Sequence, residues 1–72
     1  MTIMDLINTI EIAFVSGIRT YLSETEHIDI MSDNIFGTLN SEVLEKYVEE
    51  HGDKEIALFR CVDGGKLIIW TK

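Results

Sequence analysis

Between Thr2 and Ser23 the apolar side chains recur at helical spacing. Set about 100° apart around an axis, Ile3, Leu6, Ile7, Ile10, Ala13, Phe14, Ile18 and Tyr21 gather on one side. Met4, Val15 and Leu22 widen that side, and Thr2, Asp5, Asn8, Thr9, Ser16, Arg19 and Thr20 collect opposite. The pattern predicts one amphipathic helix over this whole run. Thr2 is its N-cap, and Asp5 sits three residues on, in the first turn. The apolar arc spans roughly 200°, about twice the stripe a surface helix shows.

Two residues break the sorting. Ile12 falls in the polar arc, and Glu11 falls in the apolar one beside the Met4–Val15–Leu22 strip. A lone buried carboxylate is costly, so Glu11 must reach water, find a partner or take up a proton. One reading makes it the margin of the buried face, with its tip in solvent. The other places the strip against a partner chain, with Met4, Glu11, Val15, Ile18 and Leu22 forming the interface.

The helical spacing stops at Ser23–Glu26. His27-Ile28-Asp29-Ile30-Met31 then alternates with period two and predicts a strand. Ser32-Asp33-Asn34 has the composition of a turn. Ile35–Thr38 fits either a short return strand or a loop that inserts Ile35 and Phe36 into the core. Asn40 suits the N-cap of a second helix ending at His51, with Leu39 and Leu44 spaced as a hydrophobic staple. Val43, Leu44, Tyr47 and Val48 form its inner stripe, and Gly52 is expected to end it in a left-handed conformation.

Lys54–Val62 and Lys66–Thr71 read as a β-hairpin around Asp63-Gly64-Gly65. A two-residue Asp63-Gly64 turn opposes Phe59 with Ile68, and a Gly64-Gly65 turn opposes Phe59 with Trp70. Both put Ala57, Phe59, Cys61, Ile68 and Trp70 on one face. A three-residue loop exchanges the faces of one strand relative to the other. Both faces of the hairpin are largely apolar, which again suggests more cover than one copy supplies. The expected fold is a single α+β domain over 1–72. Two helices pack on an antiparallel sheet of three or four strands, in the order α-β-(β)-α-β-β.

Length then sharpens the argument. A chain of 72 residues buries only about 60% of its unfolded surface, so its stability needs support. With Cys61 the sole cysteine, a disulfide cannot provide it, and no paired-ligand spacing offers a zinc site. Association with a second copy is the remaining common remedy. The single cysteine and the lack of a targeting segment suit a reducing cytoplasm. Asp5, Asn8, Glu11 and Arg19 interrupt the first apolar run too often for a membrane span.

Charge divides the chain. From Glu24 to Glu55 ten acids face only Lys46 and Lys54, a local net of −8 within a total of −7. Such a surface repels a phosphate backbone and attracts a basic protein.

Chemistry offers little. Cys61 and His27 invite a thiol–imidazole pair, but nothing cationic brackets the cysteine in sequence. Glu24, Glu26, His27 and Asp29, like Glu49, Glu50, His51 and Asp53, follow no metal-loop pattern and read as solvated acidic surface. Asp63-Gly64-Gly65 joins strands, whereas a phosphate cradle precedes a helix. Tyr47, Phe59 and Trp70 read as core or interface anchors. The expectation is a non-catalytic protein–protein interaction module without cofactor or metal, homodimeric and regulatory or accessory. The rival is an acidic, DNA-mimicking inhibitor that fills the basic groove of a nucleic-acid-binding protein through Glu42, Glu45, Glu49 and Glu50.

Overall fold

The computed structural model describes residues 1–9, 15–32 and 39–72. Within them the chain forms α1 (Ile3–Thr9), β1 (Gly17–Tyr21), β2 (His27–Met31), α2 (Ser41–His51), β3 (Ile56–Val62) and β4 (Lys66–Thr71). The fold is α+β, as the pattern predicts. The sheet, however, is mixed. Its strand order is β2-β1-β4-β3, and the central pair β1 and β4 runs parallel. Both outer pairs are antiparallel.

The long first helix is corrected. Its helical part begins as expected, with Thr2 Oγ1 accepting the Asp5 N–H at 3.2 Å and Asp5 Oδ2 accepting the Thr2 N–H at 3.0 Å. This reciprocal cap holds the Asp5 carboxyl below its usual range, chiefly through the Thr2 N–H. Gly17–Tyr21, however, is a strand. Ile18 and Thr20 point inward and are buried, while Arg19 and Tyr21 alternate with them and stay partly exposed. Ser23–Glu26 is therefore the turn of a β1–β2 hairpin. The Leu22 N–H donates to the Glu26 carbonyl at 2.9 Å, and Ser23 Oγ accepts from the Glu26 N–H at 3.1 Å. The possible strand at 35–38 lies outside the described residues.

The second helix follows its local signals. Asn40 accepts the Glu42 N–H at 2.8 Å, Tyr47 is buried, and Leu44 and Val48 pack against the core. Val43 at the margin of the stripe stays exposed. Gly52 ends the helix without a left-handed turn, at φ −63° and ψ −23°. Its constraint is space. A Cβ there would stand 2.4 Å from the Val48 carbonyl oxygen. The Gly52 carbonyl in turn accepts the Met4 N–H at 2.9 Å, and the Lys54 carbonyl accepts the Ile3 N–H at 3.0 Å. Two N–H groups at the start of α1 that have no partner within the helix are thus satisfied by the segment that leaves α2.

The closing hairpin takes the three-residue loop. Val62 pairs with Lys66, and Phe59 faces Ile69 rather than Ile68 or Trp70. Gly64 and Gly65 both hold positive φ, at 88° and 77°. This register decides what the two faces of the sheet carry.

The inner face has two rows, read from β2 through β1 and β4 to β3. One is Ile28, Thr20, Ile69, Phe59, and the other is Ile30, Ile18, Leu67, Cys61. Ile18, Thr20, Leu67 and Ile69 at the centre are fully buried beneath Ile3, Leu6 and Ile7 of α1 and Tyr47 of α2. Ile18, Leu67 and Ile69 each contribute roughly 1.5–3 kcal/mol by leaving water. Phe59 and Cys61, at the β3 edge of the same rows, remain exposed.

Candidate functional site

The other side of the sheet carries three rows in the same strand order. The first is His27, Tyr21, Trp70, Leu58. The second is Asp29, Arg19, Ile68, Arg60. The third is Met31, Gly17, Lys66, Val62. All eleven side chains keep some exposure, because α1 and α2 pack on the opposite face.

In the first row the Tyr21 and Trp70 rings stack at 5.6 Å with planes 8° apart. The His27 ring meets Tyr21 at 5.4 Å, tilted by 52°. Leu58, 57% exposed, ends the row on the free edge. In the second row Arg19 grips Asp29 with two parallel bonds, Nε to Oδ1 at 2.8 Å and Nη2 to Oδ2 at 3.0 Å. That grip pulls the Asp29 carboxyl below its usual range and strengthens the hold of Arg19 on its proton. Arg60 has no ion pair among the described residues. In the third row Met31 is 66% exposed, and Gly17, which is buried, has the Met31 side chain against it.

Three cations against one acid give this face a net charge of +2 in a chain of −7. The acids lie mainly elsewhere. Glu42, Glu45, Glu49 and Glu50 are all exposed on α2, with Lys46 the one cation on that helix. The chain is therefore polarised across its thickness: a cationic and aromatic sheet on one side, an acidic helix on the other.

The interface residues expected from the helical reading do not share a surface. Val15 and Ile18 are buried in the core, at 7% and 1% exposure. Met4 is exposed on α1, and Leu22 is half-buried just past β1. Glu11 lies outside the described residues. The cause is the β1 strand, which sends Ile18 inward, and the segment just before it, where Val15 is buried and its carbonyl accepts the Leu39 N–H at 2.9 Å. Sequence reasoning missed the outer-face residues Tyr21, Arg19, Ile68 and Arg60. Its available signal was Gly17 followed by the β-prone alternation Ile18-Arg19-Thr20-Tyr21.

Candidate chemistry is dispersed. Cys61 lies on β3 in an inner-face row, and His27 lies on β2 in an outer-face row, so opposite edges and opposite faces separate them. Among the described residues no cluster of three histidines, cysteines or acids is placed to hold a metal ion. Two clefts flank α2. One, of about 430 Å³, opens between α2 and β2 over Ile28, Ile30, Tyr47 and His51, whose Nδ1 is buried without a partner among the described residues. The other, of about 400 Å³, opens between α1 and α2 over Ile7, Leu44 and Val48. No helix of the described residues is long and apolar enough to cross a membrane. Comparison with protein-family models, curated proteins and solved structures finds no match to this chain.

Proposed function

We propose that the protein is a non-catalytic protein-binding module whose working surface is the outer face of its sheet, with a regulatory or accessory role. The observation that carries this reading is the aromatic row His27–Tyr21–Trp70–Leu58 beside Ile68, Met31 and Val62, every side chain of it at least partly exposed on one face of the four-stranded sheet. A patch combining aromatic and apolar side chains with arginine matches the composition of interface centres. The free thiol of Cys61 is exposed, which suits a reducing compartment, and we place the protein in the cytoplasm.

The test is site-specific photo-crosslinking. A photoreactive residue in place of Ile68 should capture protein, one in place of Glu45 should not, and an unlabelled Ile68→Glu variant should fail to compete. Capture from position 45 alone would replace this reading with a second one. That reading rests on the four exposed glutamates of α2 and casts the protein as an acidic inhibitor in a basic groove. It requires binding that falls steeply with salt and disappears on reversing all four charges.

A further inference from the structure

We infer that the occupant of the outer face is a second copy of this chain, packed sheet on sheet about a two-fold axis that runs parallel to the strands between β1 and β4. The inference rests on the reading of that face as the binding surface, and adds what binds there. Its ground is the register. A two-fold in this position lays β3 of one copy over β2 of the other and β4 over β1, and it keeps each row against itself reversed.

Row by row, the register opposes unlike side chains, with Arg19 of each copy over Ile68 of the other, on faces that each carry a net +2. In the second row Arg60 of each copy, with no ion pair among the described residues, stands over Asp29 of the other, so each carboxylate is placed between Arg19 of its own copy and Arg60 of the second. In the first row Tyr21 meets Trp70 of the second copy, and Leu58 meets His27. In the third, Met31 meets Val62, and Lys66 stands over Gly17, which has no side chain of its own and is flanked by Met31 of its own copy. Lys66 is in the end row, so its stem can carry the ammonium to water. The other two-fold lying between two such faces, across the strands, would stack each strand on its own copy. It would then set Arg60 against Arg60, Arg19 against Arg19 and Asp29 against Asp29. Of these two aligned packings, charge favours the axis along the strands.

The geometry tolerates sheet twist. Aligned sheets pack with their strands within about 30° of each other, which displaces the edge strands by about one residue, within the reach of an arginine. Four strands at ~4.8 Å by five residues at ~3.3 Å give a footprint of roughly 300 Å² in projection. Side chains standing off that plane raise the surface buried by two copies toward the ~1,000 Å² that a specific interface needs.

Sedimentation of the purified chain at micromolar to millimolar concentration, with charge exchange, tests this. The wild type should dimerise, and Arg60→Glu and Asp29→Lys should each weaken self-association at least about tenfold. An equimolar mixture of the two variants should recover it, because the mixed pair restores an acid opposite a base at both sites. A monomer throughout, or a mixture without recovery, overturns the inference. Pairing through the free edge of β3 predicts no recovery, since Asp29 lies on the opposite edge. If Asp29→Lys does not fold, carbodiimide coupling of Arg60→Lys reports instead. A link between copies from position 60 to Asp29 supports the arrangement, and links only to the α2 glutamates overturn it. A monomer whose position 68 still captures another protein removes the second copy as occupant and leaves the binding face intact. A monomer with no capture at position 68 removes both.

Discussion

The hydroxyl of Tyr47 on α2 lies 2.5 Å from Oγ1 of Thr20 on β1, a hydrogen bond enclosed between helix and sheet. Thr20 is fully buried, so its hydroxyl has no recourse to water. Tyr47→Phe should therefore cost about 1–3 kcal/mol in urea unfolding, the penalty for an orphaned buried group. Adding Thr20→Val to that variant should recover part of the loss, because no polar group is then stranded. A double variant no more stable than the single one would contradict this.

Burial also pushes the Tyr47 phenol up, opposed in part by the Thr20 hydrogen bond. A raised folded-state pKa favours the neutral form in the native protein. The associated stability is complete below the unfolded tyrosine value of about 10 and is lost as pH rises through the higher folded value. Unfolding midpoints measured across alkaline pH should fall in the wild type and fall less in Tyr47→Phe.

Acid should act through Asp29. Its carboxyl titrates below the usual value because Arg19 bonds the charged form. The stability tied to this pair is complete above the unfolded aspartate value of about 3.9 and is lost as pH falls through the lowered folded value. Asp5, held by Thr2, adds a contribution of the same sign. Asp29→Asn should flatten part of the acid limb of a stability–pH profile. High salt should weaken the effect, since both groups are partly exposed.

Ile18 and Met4 should part company under truncation. Ile18→Ala removes a fully buried side chain between sheet and helices and should cost about 2–5 kcal/mol. Met4→Ala, at a site 47% exposed, should stay within about 0.5 kcal/mol. Guanidinium titration of the two separates a core role from a surface role. Equal effects would return Ile18 to the surface of a helix.

Gly52→Ala should destabilise the chain by more than about 1 kcal/mol, the ordinary helix-propensity gain of alanine notwithstanding. Its methyl group would collide with the Val48 carbonyl oxygen, and that oxygen is backbone, held at 2.7 Å by the Gly52 N–H. Relief would shift the Gly52 carbonyl that receives the Met4 N–H, so loss should extend to α1. Hydrogen exchange at Met4 reads this directly and should rise.

What the sequence discloses tracks the range of the forces involved. The cap and inner stripe of α2 depend on neighbours within one or two turns, and Asn40 through His51 announce them. The Thr2–Asp5 cap is equally local. β1 is different. Ile18 and Thr20 satisfy a helical period almost as well as a strand period, and the preference is decided by pairing with β4, some fifty residues away. The parallel central pair rests on the same distant contact, and no local pattern separates it from an antiparallel one. The make-up of the outer face was hidden for that reason. Arg19 and Ile68 become neighbours only through that pairing, and Arg60 joins them only through the length of the last turn.

That last turn also governs the character of the surface. Asp63, Gly64 and Gly65 make an odd-numbered connection, and strand side chains change sides at every step. Were the unchanged sequence to turn through Asp63-Gly64 or Gly64-Gly65 alone, each β3 residue would oppose a neighbour of its present β4 partner. Phe59 and Cys61 would then emerge where Leu58, Arg60 and Val62 now stand, and the guanidinium would be driven toward the helices. A turn tighter by one residue would thus exchange the β3 side chains on the outer face without altering any residue of the chain.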